Sequence, residues 1–248
     1  MKNRKKQFLK IGGIVAVFAV VGIVAGVMQY KKDHRFDLTV AEHTISKEEY
    51  VNCMESVEYD TKMQIQQDYD AVYGDDFWKK KYKEKYGYEI LAENTVEQLK
   101  YIHTVYDLAK ENGDISDSSY EALEKRWKDE NAERKEKVEK GEVIYGLKEY
   151  TFPLYLDYEI STLKEKYCND TNREGMKLTE DEIQEHYQSR EWIFGDSDEN
   201  ADLEMARIAV ERELREQKYD DMITQRETGS QVAGNMENVN RITLKNIQ

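Results

Sequence analysis

Residues 44–74 read TISKEEYVNCMESVEYDTKMQIQQDYDAVYG. Ser46, followed three positions later by Glu49, is a capping box, in which each side chain satisfies the other's free backbone N–H at a helix start. Behind it Tyr50, Val51, Met54, Val57, Ile65, Tyr69 and Val72 recur at helical spacing for about seven turns. The stretch is therefore expected to be a long amphipathic helix that stops at Gly74. With one proline and thirteen glycines in 248 residues, the chain is poor in the turn residues that a sandwich of short strands needs. The expected fold is mainly α, with a few short strands. Eighteen Tyr, six Phe and three Trp supply a packed core rather than a disordered tail.

Toward the C-terminus, the connector YGDDFWKKKYKEKYGYE is aromatic and lysine-rich. Asn94 or Thr95 is expected to cap the next helix, with the face Val96, Leu99, Ile102, Val105, Tyr106 and Ala109 and an end at Gly113. Ser116 or Asp117 opens a third helix, apolar only at Tyr120, Leu123, Trp127 and Val138, whose second half is a solvated arm of i,i+4 charge pairs. GEVIYGLKEYTF reads as an irregular or hairpin-like crossing. Pro153 fits the first turn of a helix continued by Tyr155, Tyr158, Ile160, Leu163 and Tyr167. Thr179 opens a short helix, LTEDEIQEHY. The last long helix, 202–226, carries the stripe Leu203, Ile208, Val210, Leu214 and Met222, which is expected to pack on the first helix. A tail of mixed strand character closes the chain. Ahead of the first helix, FDLTVAEHTIS reads as one short strand running into a turn.

Further toward the N-terminus, IGGIVAVFAVVGIVAGVM, residues 11–28, contains no charge. As a helix with its flanks it reaches roughly 30 Å, the thickness of a bilayer's hydrocarbon core. Lys2, Arg4, Lys5, Lys6 and Lys10 precede it, the basic flank that the positive-inside rule retains in the cytoplasm. The expected organisation is a cytoplasmic tail (1–10), a transmembrane signal anchor (11–29), a stalk (30–36) and an extracytoplasmic body (37–248). The body's helices span 46–190 and 202–226. The chain is then a single-pass protein of the cell membrane. A cleaved signal peptide shares the basic-then-apolar order and would be cut near Val24-Ala25-Gly26, but its apolar run is usually shorter. The spacing of Gly12, Ala16, Gly22 and Gly26 would let two spans approach closely, so a homodimer is one expected partner arrangement.

The first 32 residues carry seven positive charges and no negative one, which leaves about −21 on residues 33–248 out of a whole-chain −14. Such a body will not seek nucleic acid. Cys53 and Cys168 lie in helices in a compartment that permits disulfides: paired, they would close a long loop, and unpaired they are two half-buried thiols. Asp196, Asp198 and Asn200 alternate like a calcium loop, but the sixth and twelfth places hold Ala201 and Arg207 instead of Gly and Glu. His34, His43, His103 and His186 never fall at i,i+4, and no nucleophile elbow, phosphate loop or CxxC is present. No catalytic residue, metal site or cofactor is assigned.

Taken in order, TISKEEY, YGDDFW, VYDLAKENGDISDSSYEAL, LTEDEIQEHY and ELREQKYDDMI make residues 37–226 resemble the helical chaperone domain of the SurA and PrsA group of extracytoplasmic foldases. In that group's enzymes a parvulin prolyl isomerase domain is inserted between the short helix and the late helix. Here only about 14 residues, 188–201, fill that place, too few for a domain. The resemblance thus implies an anchored chaperone without isomerase catalysis, as PrsA-like proteins of Gram-positive bacteria are anchored, whose partners are unfolded or exported polypeptides. A dedicated subunit for one transporter, processing enzyme or secreted product is the alternative. Tyr106, Trp127, Tyr145, Tyr150, Tyr155, Tyr158 and Met222 are the expected client contacts, with ordinary core packing the competing reading for each.

Overall fold

Residues 35–195 and 199–247 are described by a computed structural model. Their order is β1 (Leu38–Val40), β2 (His43–Thr44), α1 (Lys47–Tyr69), a 3-10 turn (Phe77–Lys79), β3 (Lys81–Tyr82), β4 (Lys85–Tyr86), α2 (Gly87–Glu111), α3 (Tyr120–Glu139), α4 (Phe152–Asn169), α5 (Glu180–Gln188), α6 (Leu203–Gly229), β5 (Val232–Gly234) and α7 (Met236–Asn246). The mainly helical expectation holds. No helix among the described residues is long and apolar enough to cross a membrane. The basic tail, the span expected at residues 11–28 and the stalk up to residue 34 lie outside them, as do residues 196–198 of the acidic loop.

The capping box forms as read: Ser46 Oγ accepts from the Glu49 N–H at 3.0 Å, and Glu49 accepts from the Ser46 N–H at 3.4 Å. Helix α1 stops at a left-handed Asp70, four residues short of Gly74. Helix α2 is the axle of the fold, packing on α1, α4, α6 and α7. It begins at Gly87, ahead of the expected caps, because Glu89 accepts from the Tyr86 N–H at 2.7 Å and because a Cβ at Gly87 would lie 3.0 Å from the Phe77 carbonyl oxygen. Only glycine lets the helix start this close to the 3-10 turn. Asn94 instead reaches across to α1, donating to Thr61 Oγ1 at 3.0 Å and Gln64 Oε1 at 2.8 Å, and Thr95 is buried in mid-helix. Helix α3 is capped by Ser119, not Ser116 or Asp117; Asp117 accepts from the Ser119 N–H at 2.9 Å.

The segment around β1 is a hairpin, not a single strand, and the tail is mostly helix. β5 pairs antiparallel with β1, so the sheet order is β2-β1-β5. Asn235 then caps α7 by accepting from the Asn238 N–H at 3.2 Å, and Val239 and Ile242 enter the core. The hydroxyls of Tyr50 and Thr243 bond inside. The two ends of the described chain therefore belong to one body. The late helix, however, packs chiefly on α2, α4 and α5 rather than on α1. Its buried line is Ala206, Val210, Leu214, Tyr219 and Ile223, whereas Ile208 is 85% exposed. Ile208 lies two positions from both Ala206 and Val210, about 200° around the helix, so the two cannot share a face.

The cysteines stand apart as buried thiols. Cys53 points at the Thr95 carbonyl of α2 at 3.6 Å, and Cys168 at the Arg215 carbonyl of α6 at 3.8 Å, so the bridge weighed from the sequence is not formed. Burial pushes both thiols up, Cys168 to about 11, which keeps them protonated and inert at neutral pH.

A small second core, Ile183, Trp192, Ala206 and Val210, joins α5 to the start of α6. Residues 189–195 and 199–202 close over it: Trp192 Nε1 donates to the Tyr187 carbonyl at 3.0 Å, and the Ala201 N–H to the Trp192 carbonyl at 2.8 Å. Thr179 opens the short helix as expected, in a capping box with Glu182, and Glu182 also bonds Lys218 of α6. The Lys218 ammonium, then the N–H and hydroxyl of Thr179, hold the Glu182 carboxyl down from 4.5 to about 2. A depressed carboxylate stabilises fully above its ordinary pKa and loses that contribution as pH falls through the folded value. The α5 attachment should therefore loosen between pH 4.5 and about 2. With 5-fluorotryptophan incorporated, the fluorine signal of residue 192 should move over that window, and by less in Glu182→Gln; an unchanged titration in that variant would refute the linkage.

Candidate polypeptide-binding surface

Helix α3 presents Trp127, Asn131 and Arg134 at i, i+4 and i+7, one above another on a single face. Each grips the backbone of the chain returning through 141–151. Trp127 Nε1 donates to the Tyr150 carbonyl at 2.8 Å. The Asn131 amide donates to that same carbonyl at 2.9 Å and accepts from the Tyr150 N–H at 2.8 Å. Arg134 donates to the carbonyls of Tyr145 at 3.0 Å and Leu147 at 2.8 Å, is steadied by Glu130 at 2.7 Å, and lies over the Tyr150 ring. Gly141 and Gly146 take the left-handed backbone that this path requires. The crossing is thus an irregular strap without ladder pairing, clamped by side chains.

Because the clamps take the backbone, the strap's own side chains face out. Tyr145 is 86% and Val143 77% exposed, with Leu147 beside them and Leu154 and Tyr158 continuing onto α4. Tyr150 stacks on Tyr158, ring centroids 5.2 Å apart. Behind this flank, Trp127 and Tyr120 pack edge-on against Phe152.

The expected contacts divide accordingly. Tyr145 and Tyr158 are exposed, Tyr150 and Trp127 half-buried. Tyr106 and Tyr155, at 1% and 5% exposure, are core and cannot meet a client. Their hydroxyls donate to the buried Glu159, at 2.6 and 2.9 Å, and Arg126 grips the same carboxylate through Nε at 2.6 Å and Nη2 at 3.1 Å. Met222 packs against the main core and takes the Tyr167 hydroxyl at 3.5 Å, so it is structural as well. The reading missed Val143, Leu147 and Leu154. It also missed a second outward patch of Phe194, Met205 and Ile208, which the true register of α6, once known, places outside.

Beside Tyr158 the surface turns acidic. On α4, Asp157 is pushed up by burial and by Asp60 of α1. Tyr101 of α2 is raised by burial, then by Asp220 and Glu227 of α6 and by Asp157. Those effects place Asp157, Asp220 and Glu227, from two helices, around Tyr101, with Asp60 of α1 beside Asp157; Lys164 answers Asp220 at 2.6 Å, and Lys100 lies near Glu227. Among the described residues no group of three or more His, Cys, Asp or Glu is arranged to hold a metal ion. The arrangement offers an apolar, aromatic flank leading to an acidic patch, a surface able to hold a chain.

No family model matches this chain, and no solved structure matches it. It is similar to a chaperone for lacto-N-biosidase from Bifidobacterium longum subsp. longum, with 27% identity over 182 residues. The match covers 73% of this chain and 65% of that relative, so the chain spans less than two thirds of the relative's length.

Proposed function

We propose that this protein is a non-catalytic chaperone, anchored in the membrane through residues 11–28 with its body outside, that holds one exported partner protein in an extended or incompletely folded state. The observation that carries the proposal is the clamped strap. Ordering Val143, Tyr145 and Leu147 on a fixed backbone while leaving them in water gains nothing for the fold, and rigid aromatic surface is what binding interfaces use. The acidic patch beside it favours basic stretches of the partner. The resemblance to the SurA and PrsA group supports the same reading, and so does similarity to a chaperone. That relative is a chaperone for one enzyme, which favours a dedicated client over general holdase work.

Purified full-length protein should suppress aggregation of its client, found by crosslinking in cells, and do little for unrelated unfolded proteins; equal protection of all of them would replace the dedicated reading with a general one. Exposed positions tolerate change, so Tyr145→Ser with Tyr158→Ser should leave the melting temperature in place while weakening client binding by about tenfold or more, the effect of roughly 1.4 kcal/mol or above. Unchanged binding would remove the strap from the site. A peptide with a cis proline should relax at its uncatalysed rate in the protein's presence, and acceleration would show that isomerase activity persists without the inserted domain. Protease added to intact protoplasts should digest the body, whereas protection, or release into the medium with a new terminus near Gly26, would end the anchored reading.

A further inference from the structure

Past the end of α1 the chain turns into the 3-10 turn and the β3–β4 hairpin, and the last turn of α7 comes up beside it. Between them lies a groove of about 570 Å3, walled by Tyr73, Asp75, Trp78, Lys79, Leu244 and Ile247. None of these residues belongs to the strap or the acidic patch. The rim is apolar: Val72, Tyr73 and Leu244 are all exposed.

Two observations point to a ligand. Trp78 is only 6% exposed, yet its buried indole N–H has no hydrogen-bond partner among the described residues. Native proteins leave few buried donors unpaired, so a groove-lining tryptophan with a free N–H is open to an acceptor on a bound chain. The second is charge. Lys79, Lys80, Lys81 and Lys83 are exposed and paired with no carboxylate among the described residues, whereas Lys85 is held by Glu93 at 2.6 Å. Lys80, Lys81 and Lys83 lie over the rings of Tyr82, Tyr86 and Tyr69. Asp75, Asp76 and Glu84 offset three of these four charges, so the hairpin is locally positive by one on a body of about −21.

We propose that this groove docks a second stretch of the partner polypeptide, an extended segment in which apolar residues are followed by acidic ones. The apolar side chain sits among Tyr73, Leu244 and Ile247. A carbonyl or carboxylate oxygen accepts from Trp78 Nε1, and the acidic residues run along Lys79, Lys80, Lys81 and Lys83. The inference rests on the reading that the protein binds a polypeptide, and it assigns the two surfaces opposite charge preferences. A partner with a basic and an acidic-apolar stretch would then be held at two points, in one orientation.

The test uses the full chain in detergent micelles and two labelled peptides, each with two leucines followed by six residues, all Glu in one and all Lys in the other. At this groove the Glu peptide should bind at least about tenfold more tightly than the Lys peptide at low salt, with the difference shrinking as salt rises. It should also shift the side-chain N–H resonance of Trp78, which needs no mutation to observe. Lys79→Glu with Lys81→Glu should weaken the Glu peptide by about tenfold, the effect of losing two charge contacts. Preference of the groove for the Lys peptide, binding of neither peptide there, or an unmoved Trp78 signal each overturns the inference. So does loss of the Glu peptide in the Tyr145→Ser, Tyr158→Ser protein with none in the lysine variant. If instead the lysine variant still protects the client from aggregation while the strap variant does not, the groove fails alone and the chaperone reading stands.

Discussion

Replacing Glu159 with alanine should lower stability by about 3–5 kcal/mol, the cost of breaking a largely buried ion pair and orphaning its partners. The carboxylate collects four donors from three helices: Tyr106 of α2, Tyr155 of its own helix, and two nitrogens of Arg126 on α3. Its side chain is 11% exposed and that of Arg126 25%, so little water replaces what is lost. Burial, then the Glu159 charge, raises both phenols, so they remain donors at any working pH. Arg126, with its guanidinium over the Tyr106 ring and a further bond to the Asp117 carbonyl at 3.0 Å, is what ties the arm to the body. Urea unfolding measures the loss. Glu159→Gln, which keeps the shape and accepts fewer charged bonds, should fall between wild type and alanine. Because the strap hangs from the arm, client binding should fall with it, at temperatures where the rest of the fold survives. A loss below 1 kcal/mol for the alanine variant would mean that the arm is held by its aromatic contacts alone.

Ending the chain at Gly229 should have the larger effect and abolish cooperative folding. Deletion of β5 and α7 strips the central strand β1 of one neighbour and uncovers Leu38, Val40, Tyr50 and Met54, all fully buried. Val239 and Ile242 alone represent about 3–6 kcal/mol of burial, and the surfaces they cover a similar amount. Together these match the whole stability of an ordinary domain, about 5–15 kcal/mol. Circular dichroism should show retained helix with no sharp melt, and the truncated body should bind a hydrophobic dye. A cooperative melt at an unchanged temperature would make the tail an appendage and not a wall of the core. The deletion also removes Leu244 and Ile247, so it takes the α7 wall of the groove with it.

The helices legible in the sequence were those whose ends carry their own chemistry. Ser46 with Glu49, Thr179 with Glu182, and Pro153 in a first turn act within four residues, so no distant contact is needed to read them. The start of α2 was not legible, since Gly87 argues against a helix until the 3-10 turn it must clear is known. The tail failed similarly: Val239, Ile242 and Thr243 are β-branched, and only the surfaces of α1 and α2 waiting for that face make it a helix. In the candidate site, Tyr155 and Tyr158 stand three apart on one helix, alike in type and neighbourhood. Glu159 and Arg126 close over the first, and the second is left to solvent beside Tyr150.

The helical class, the starts of α1, α4 and α5 and the negative body are legible without the fold, because each depends on local geometry or on a sum over residues. Only the tertiary structure decided the register of α6, the separation of Cys53 from Cys168, and which tyrosines face outward. Those depend on which neighbour covers a given arc of helix, and a helical stripe says that a face must be covered without saying by what.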